Sequence, residues 1–74
     1  MVKTKQALAD VVRAARAAKW WTQAELARRA KVSAGLVANI ERGQVRVIQA
    51  LTASKLESAL EVSLKRHIKG GSKS

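Results

Sequence analysis

Residues 21–43 read Trp-Thr-Gln-Ala-Glu-Leu-Ala-Arg-Arg-Ala-Lys-Val-Ser-Ala-Gly-Leu-Val-Ala-Asn-Ile-Glu-Arg-Gly, and this stretch decides the fold. Thr22-Gln-Ala-Glu25 has the form of a capping box. The Thr22 hydroxyl can accept from the Glu25 amide while the Glu25 carboxylate reaches back to the Thr22 amide. A helix is therefore predicted over 23–30, with Ala24, Leu26, Ala27 and Ala30 available for packing. Eight residues do not persist as a helix alone, so neighbours must hold this one. Val32 and Ser33 break and restart the chain. Ser33 is a good N-cap and Gly43 a good stop, which predicts a further helix over 34–42. Val37 and Ile40, with Leu36 beside them, point inward. Ala34, Gly35, Ala38 and Asn39 are left outside, and all are small or polar.

Two short helices joined by a three-residue turn pack at a steep angle, the helix-turn-helix arrangement. Ala27 supplies the small residue where the helices cross, and Val37 and Ile40 anchor the second helix. The outer face of that helix is short enough to enter the major groove of DNA.

Outward from this pair, a helix is predicted from about Lys5 to Ala18 with Thr4 as its N-cap. Leu8, Val11, Val12 and Ala15 share one of its faces. Arg13, Arg16 and Lys19 load its C-terminal half with the charge the helix dipole favours. Residues 44–48 form a connection with alternating Val45 and Val47. A fourth helix is predicted over 49–60 with the stripe Ala53, Leu56, Ala59 and Leu60. A short fifth starts near Ser63 and carries Leu64 and Ile68, although Lys65 and Arg66 in its first turn oppose the dipole. The expected fold class is all-α, a compact five-helix domain over residues 1–69 with its motif at 22–43. Gly70-Gly-Ser-Lys-Ser74 reads as a flexible tail.

Composition narrows the function. The chain has 74 residues, with 15 Lys/Arg against 5 Asp/Glu and a formal charge of +10. Such a charge asks for a polyanion, nucleic acid before an anionic membrane surface. No stretch approaches the ~20 apolar residues of a spanning helix, and the N-terminus has no secretory apolar region. There is no Cys to build a disulfide or a thiolate zinc site. With one His and no carboxylate cluster, no catalytic or metal-binding constellation can be assembled, so neither an enzyme nor a cofactor is expected.

The 21–43 run resembles the helix-turn-helix of the lambda-repressor-like (Cro/cI-type) regulators. The resemblance extends through Arg13-Ala-Ala-Arg16 upstream and Leu56-Glu-Ser-Ala-Leu-Glu-Val-Ser-Leu64 downstream, covering roughly residues 8–64. Thr-Gln-x-x-Leu-Ala, then Val-Ser, then Ile-Glu-Arg-Gly is a specific pattern. It implies a five-helix bundle that binds operator DNA, usually as a dimer. Gln23 is similar to the family's phosphate-clasping Gln. Ser33, Ala34, Gly35 and Asn39 fall where its recognition helix meets phosphate and base edges. Arg42 and Arg46 fall where it approaches the backbone. Arg16 and Glu41 match its Arg–Glu pair between the first and third helices.

The chain also departs from that pattern. Trp20 and Lys31 stand where the family has Gly or a residue tolerant of the left-handed conformation, so both turns are expected to be built differently. Val45-Arg46-Val47 replaces a loop that usually carries Pro. The recognition face is poor in long polar side chains. Asn39 is its only bidentate reader, with adenine N6/N7 the natural target, while Ala34 and Ala38 suit thymine methyls. Discrimination would then lean on DNA shape as well.

Other residues admit two readings. Arg28, Arg29 and Lys31 are phosphate contacts or solubilising charge. Trp21 is expected in the core. Trp20 is either a dimer contact or packed beneath the end of the first helix. His67 has no partner ligands, and the basic run 65–69 is a fraying helix end or a phosphate-binding arm. The resulting expectation is a cytoplasmic, homodimeric repressor of phage or plasmid type that binds a near-palindromic double-stranded operator, with no membrane partner or small-molecule ligand. The alternatives are an architectural, excisionase-like DNA-binding factor, and an antitoxin or antirepressor acting through a protein partner. The last would need an exposed apolar patch around Trp20, Val45, Val47 and Ile48.

Overall fold

The computed structural model describes residues 7–69. The expected Thr4 cap, the helix start at Lys5 and the 70–74 tail lie outside the described residues. Within them α1 runs Leu8–Ala18, α2 Gln23–Ala30, α3 Ala34–Glu41 and α4 Ala50–Leu60, followed by a single 3-10 turn over Lys65–His67. The class is all-α as expected, but the fifth helix is replaced by that turn. Its first residues carry positive charge against the dipole. The segment is held from outside instead. Glu57 on α4 accepts from the Leu64 amide at 2.6 Å. Ile48 donates to the His67 carbonyl and accepts from the Lys69 amide, both at 2.7 Å, in a parallel bridge to Ile68.

α2 and α3 begin as their caps dictate. Thr22 accepts from the Glu25 amide and Ser33 from the Leu36 amide, each at 3.0 Å. Only half of the expected capping box forms, because the Glu25 carboxylate is taken up by Arg28 and Arg29 on its own helix. Charged donors one turn away hold a carboxylate more strongly than a neutral amide does.

The ends of α1, α2 and α3 share one device. At the close of α1, Trp20 donates to the Ala17 carbonyl and Trp21 to that of Arg16. At the close of α2, Lys31 donates to Arg28 and Val32 to Ala27; at the close of α3, Gly43 donates to Ile40 and Gln44 to Asn39. Each is a Schellman closure, whose pivot residue must be left-handed. The pivots are Trp20 (φ 63°), Lys31 (φ 61°) and Gly43 (φ 84°). The expectation that Trp20 and Lys31 force different turns is therefore corrected. The turns keep the left-handed form and carry its strain, about 1–2 kcal/mol for a residue with a Cβ.

The core is small and continuous. Leu8 and Val12 of α1 meet Leu26, Ala27 and Ala30 of α2 and Val37 and Ile40 of α3. Ala53, Leu56 and Leu60 of α4, with Ile48 and Leu64, close the other side. Ala24, expected to pack, is exposed, and Trp21 lies half-buried against the core rather than inside it. No helix among the described residues is long and apolar enough to cross a membrane.

Candidate nucleic-acid interface

The frame that presents α3 is built around Glu41, the one buried charged residue among those described. Arg16 embraces its carboxylate with two bonds, Nε to Oε2 at 2.6 Å and Nη2 to Oε1 at 2.8 Å. Gln23 Nε2 donates to Oε1 at 3.0 Å. Arg16 also donates to the Trp21 carbonyl at 2.7 Å, and Arg13 donates to the Glu41 backbone carbonyl. One carboxylate thus ties α1, the entry to α2 and the end of α3 together. Burial pushes the Glu41 carboxyl up, but the bonds from Arg16 and Gln23 and the nearby positive charge outweigh it and hold the group below its ordinary value. The hydrogen bond to Glu41 in turn raises Arg16, against the effect of burial.

Buried Val37 and Ile40 fix the rotation of α3. Ala34 and Gly35 face solvent, and Ala38 and Asn39 are half-buried on the same helix. A Cβ on Gly35 would meet only the Ser33 hydroxyl, at 4.0 Å, so this end of the helix is open and low in relief. Arg42, the C-cap of α3, is exposed and donates to Asn39 Oδ1 at 2.7 Å. Arg46 lies exposed in the following loop, with no ion-pair partner among the described residues.

The residues singled out from the sequence therefore sit as follows. Arg16, Glu41 and Gln23 come together in one cluster. One Gln23 N–H is spent on Glu41, and its second N–H and its oxygen remain available. Thr22 and Ser33 use a hydroxyl lone pair as caps and keep their hydroxyl protons to donate. Ala34, Gly35, Ala38 and Asn39 share α3, flanked by Arg42 and Arg46. Arg13 was missed as a brace of α3. Its spacing of three from Arg16, which puts both on one face, was the available signal.

Elsewhere, Arg28 and Arg29 pair with Glu25, whose carboxyl they hold below its ordinary value, Arg28 most. Arg29 also lies 4.6 Å from the centre of the Trp21 ring, with Lys19 at 5.4 Å. Trp20 is 93% exposed, so it does not pack beneath α1. The apolar patch imagined around Trp20, Val45, Val47 and Ile48 does not form. Ile48 is buried and Val45 packs on the core, leaving Val47 exposed with Leu51, which the sequence reading had not singled out. No group of three or more His, Asp and Glu able to hold a metal occurs among the described residues.

A helix-turn-helix family model matches residues 12–66. Among solved structures, the chain is similar in fold to one titled SinR protein/SinI protein complex, with a TM-score of 0.73 and 22% identity. The match covers 85% of this chain but only 61% of that one. No curated protein matches.

Proposed function

The chain belongs to the helix-turn-helix family of DNA-binding transcription regulators, and we propose that it is a sequence-specific repressor that binds double-stranded DNA as a homodimer. The observation that carries this reading is the low-relief outer face of α3, flanked by Arg42 and Arg46 on a chain of charge +10. The mechanism has two separable parts. Lysines and arginines displace counterions from the phosphates, giving salt-sensitive attraction to any sequence. The 34–39 face, led by Asn39, supplies discrimination through base edges. Gln23 and Ser33, with donors left over from their structural bonds, hold the flanking phosphates, and Arg42 and Arg46 extend that grip. Two copies would set their recognition helices about 34 Å apart, one DNA turn, on a near-palindromic site. Repression follows from occupying a promoter in the cytoplasm and requires no cofactor.

The test is a titration against DNA from the gene's own promoter and a scrambled duplex at about 0.15 M salt, where long-range attraction is screened. Preference for the promoter by ~10³ or more supports a sequence-reading autoregulator. Equal binding to both sequences would favour an architectural role instead, and binding to neither would overturn the DNA reading.

A further inference from the structure

Away from α3, the fold leaves an open cleft of about 670 Å³ between the end of α1, the C-terminal part of α2 and α4. That volume falls within the range of small-molecule sites, about 300–1,000 Å³. Small side chains help to make the room, since Ala30 of α2 and Ala59 of α4 both line it.

Four cations line the cleft, Lys19, Arg29, Lys31 and Lys55, against one carboxylate, Glu61. Glu61 meets Lys19 at 3.3 Å, and Glu25 holds Arg29 Nε at 2.5 Å. Lys31 and Lys55 have no ion-pair partner among the described residues. The Trp21 ring, also in the wall, has Arg29 at 4.6 Å and Lys19 at 5.4 Å from its centre. Its attraction for both offsets part of their mutual repulsion. Helix dipoles account for three of these charges singly, because Lys19, Arg29 and Lys31 stand at the ends of α1 and α2. They do not account for Lys55, which sits in the middle of α4 yet lines the same space. Ser54 and Ser58, one turn apart on α4, add two hydroxyl donors.

An occupant must therefore be strongly anionic and must accept hydrogen bonds from more than one helix. A carboxylate offers two oxygens and a single charge. A phosphate group offers three acceptor oxygens and a charge of about −1.5 to −2. We propose that this cleft binds a compact ligand bearing two or more phosphate groups. Arg29 and Lys31 grip it from α2, and Lys55 with the two serines grips it from α4. No residue of α3 lines the cleft, nor do Gln23, Arg42 or Arg46, so the site is separate from the surface assigned above to DNA.

The experiment is a nuclear magnetic resonance titration of the 15N-labelled full chain with tripolyphosphate at about 0.15 M salt, where long-range attraction is screened. Saturable shifts are expected at the amides of 29–31 and 54–58 and at the Trp21 indole N–H. Lys31→Gln with Lys55→Gln should weaken binding by ~10-fold or more, through the loss of two charged donors. Lys65→Gln with Arg66→Gln removes the same charge elsewhere and should weaken it by less than ~2-fold. All four side chains belong to exposed residues, and the spectra of the variants report directly that the fold is kept. Equal weakening by the two pairs, or shifts centred on α3 or spread over the whole surface, would overturn the proposal. So would equally tight binding of an acidic peptide of the same charge, or complete release of the probe by excess duplex DNA.

Discussion

Replacing Glu41 with Gln changes one atom and one charge at the node that ties α1, α2 and α3. The carboxylate accepts three side-chain bonds, two from Arg16 and one from Gln23. An amide keeps most of these only if its oxygen takes the Oε1 place, where Arg16 Nη2 and Gln23 both donate. Its NH2 group then faces Arg16 Nε, donor against donor. Arg16 is left charged and largely buried, its side chain 19% exposed beside a Glu41 side chain at 5%. Breaking one partner of a buried pair costs about 3–5 kcal/mol. The lower end, about 3 kcal/mol, applies here, because Arg16 keeps its bond to the Trp21 carbonyl and some contact with water. For a domain of this size that loss lowers Tm by about 12–24 °C. It also removes a large share of a total stability of about 4–11 kcal/mol. Thermal and urea unfolding of the two proteins measure it. A drop of less than ~4 °C, about 1 kcal/mol, would refute the reasoning. So would an Arg16→Met, Glu41→Met double variant whose loss equals the sum of the single losses, since the pair would then not be coupled.

Acid should expose the same group. Its folded pKa lies below the ordinary 4.5, so its contribution is complete above about 4.5 and is lost as pH falls through the depressed value. The Tm gap between wild type and Glu41→Gln should shrink between pH 7 and pH 3, and a constant gap would contradict the assignment. Lys31→Gly should stabilise the protein. Relief of about 1–2 kcal/mol of left-handed strain exceeds the roughly 0.4–1 kcal/mol of added unfolded-state freedom, and no hydrogen bond from the exposed Lys31 side chain is lost. Tm should rise by a few degrees, as it should for Trp20→Gly; a fall in both would mean the pivots are not strained. Arg46→Ala should weaken binding to all duplexes alike and flatten the slope of log K against log salt by about 0.9. An unchanged slope would remove Arg46 from the backbone contacts.

The parts of the fold legible in the sequence were those set by local chemistry. Thr22, Ser33 and Gly43 bound α2 and α3 to within a residue, since caps and stops act within one turn. The Arg16–Glu41 tie was readable only through a resemblance, because nothing local joins residues 25 apart. Where a side chain had to choose between partners, local reading failed. Glu25 had a backbone amide and two arginines in reach, and the arginines won. Gln23 had solvent and Glu41 in reach, and half of its donor capacity turned inward. The segment after Leu60 has helical composition, yet Glu57 and Ile48 claim its backbone groups, and only the assembled fold places them there. On the candidate site, the small residues of α3 were legible from spacing. The hold of Arg42 on Asn39 was not, since spacing three apart permits the contact without requiring it.

The bridge between Ile48 and Ile68 has a mechanical meaning. Its two 2.7 Å bonds join the segment after α4 to the residue that closes the Arg46 loop. Tension applied beyond Lys69, by an appended domain or by an optical trap, would reach Ile48 before it reached any helix. The first event under load would be the peeling of this clasp, which would slacken the Arg46 loop while the three helices around Glu41 stayed docked. With Arg46 in its proposed place on the DNA backbone, grip would then loosen before the domain unravels, and a fusion partner joined at that end would act on binding as a lever as well as a passenger.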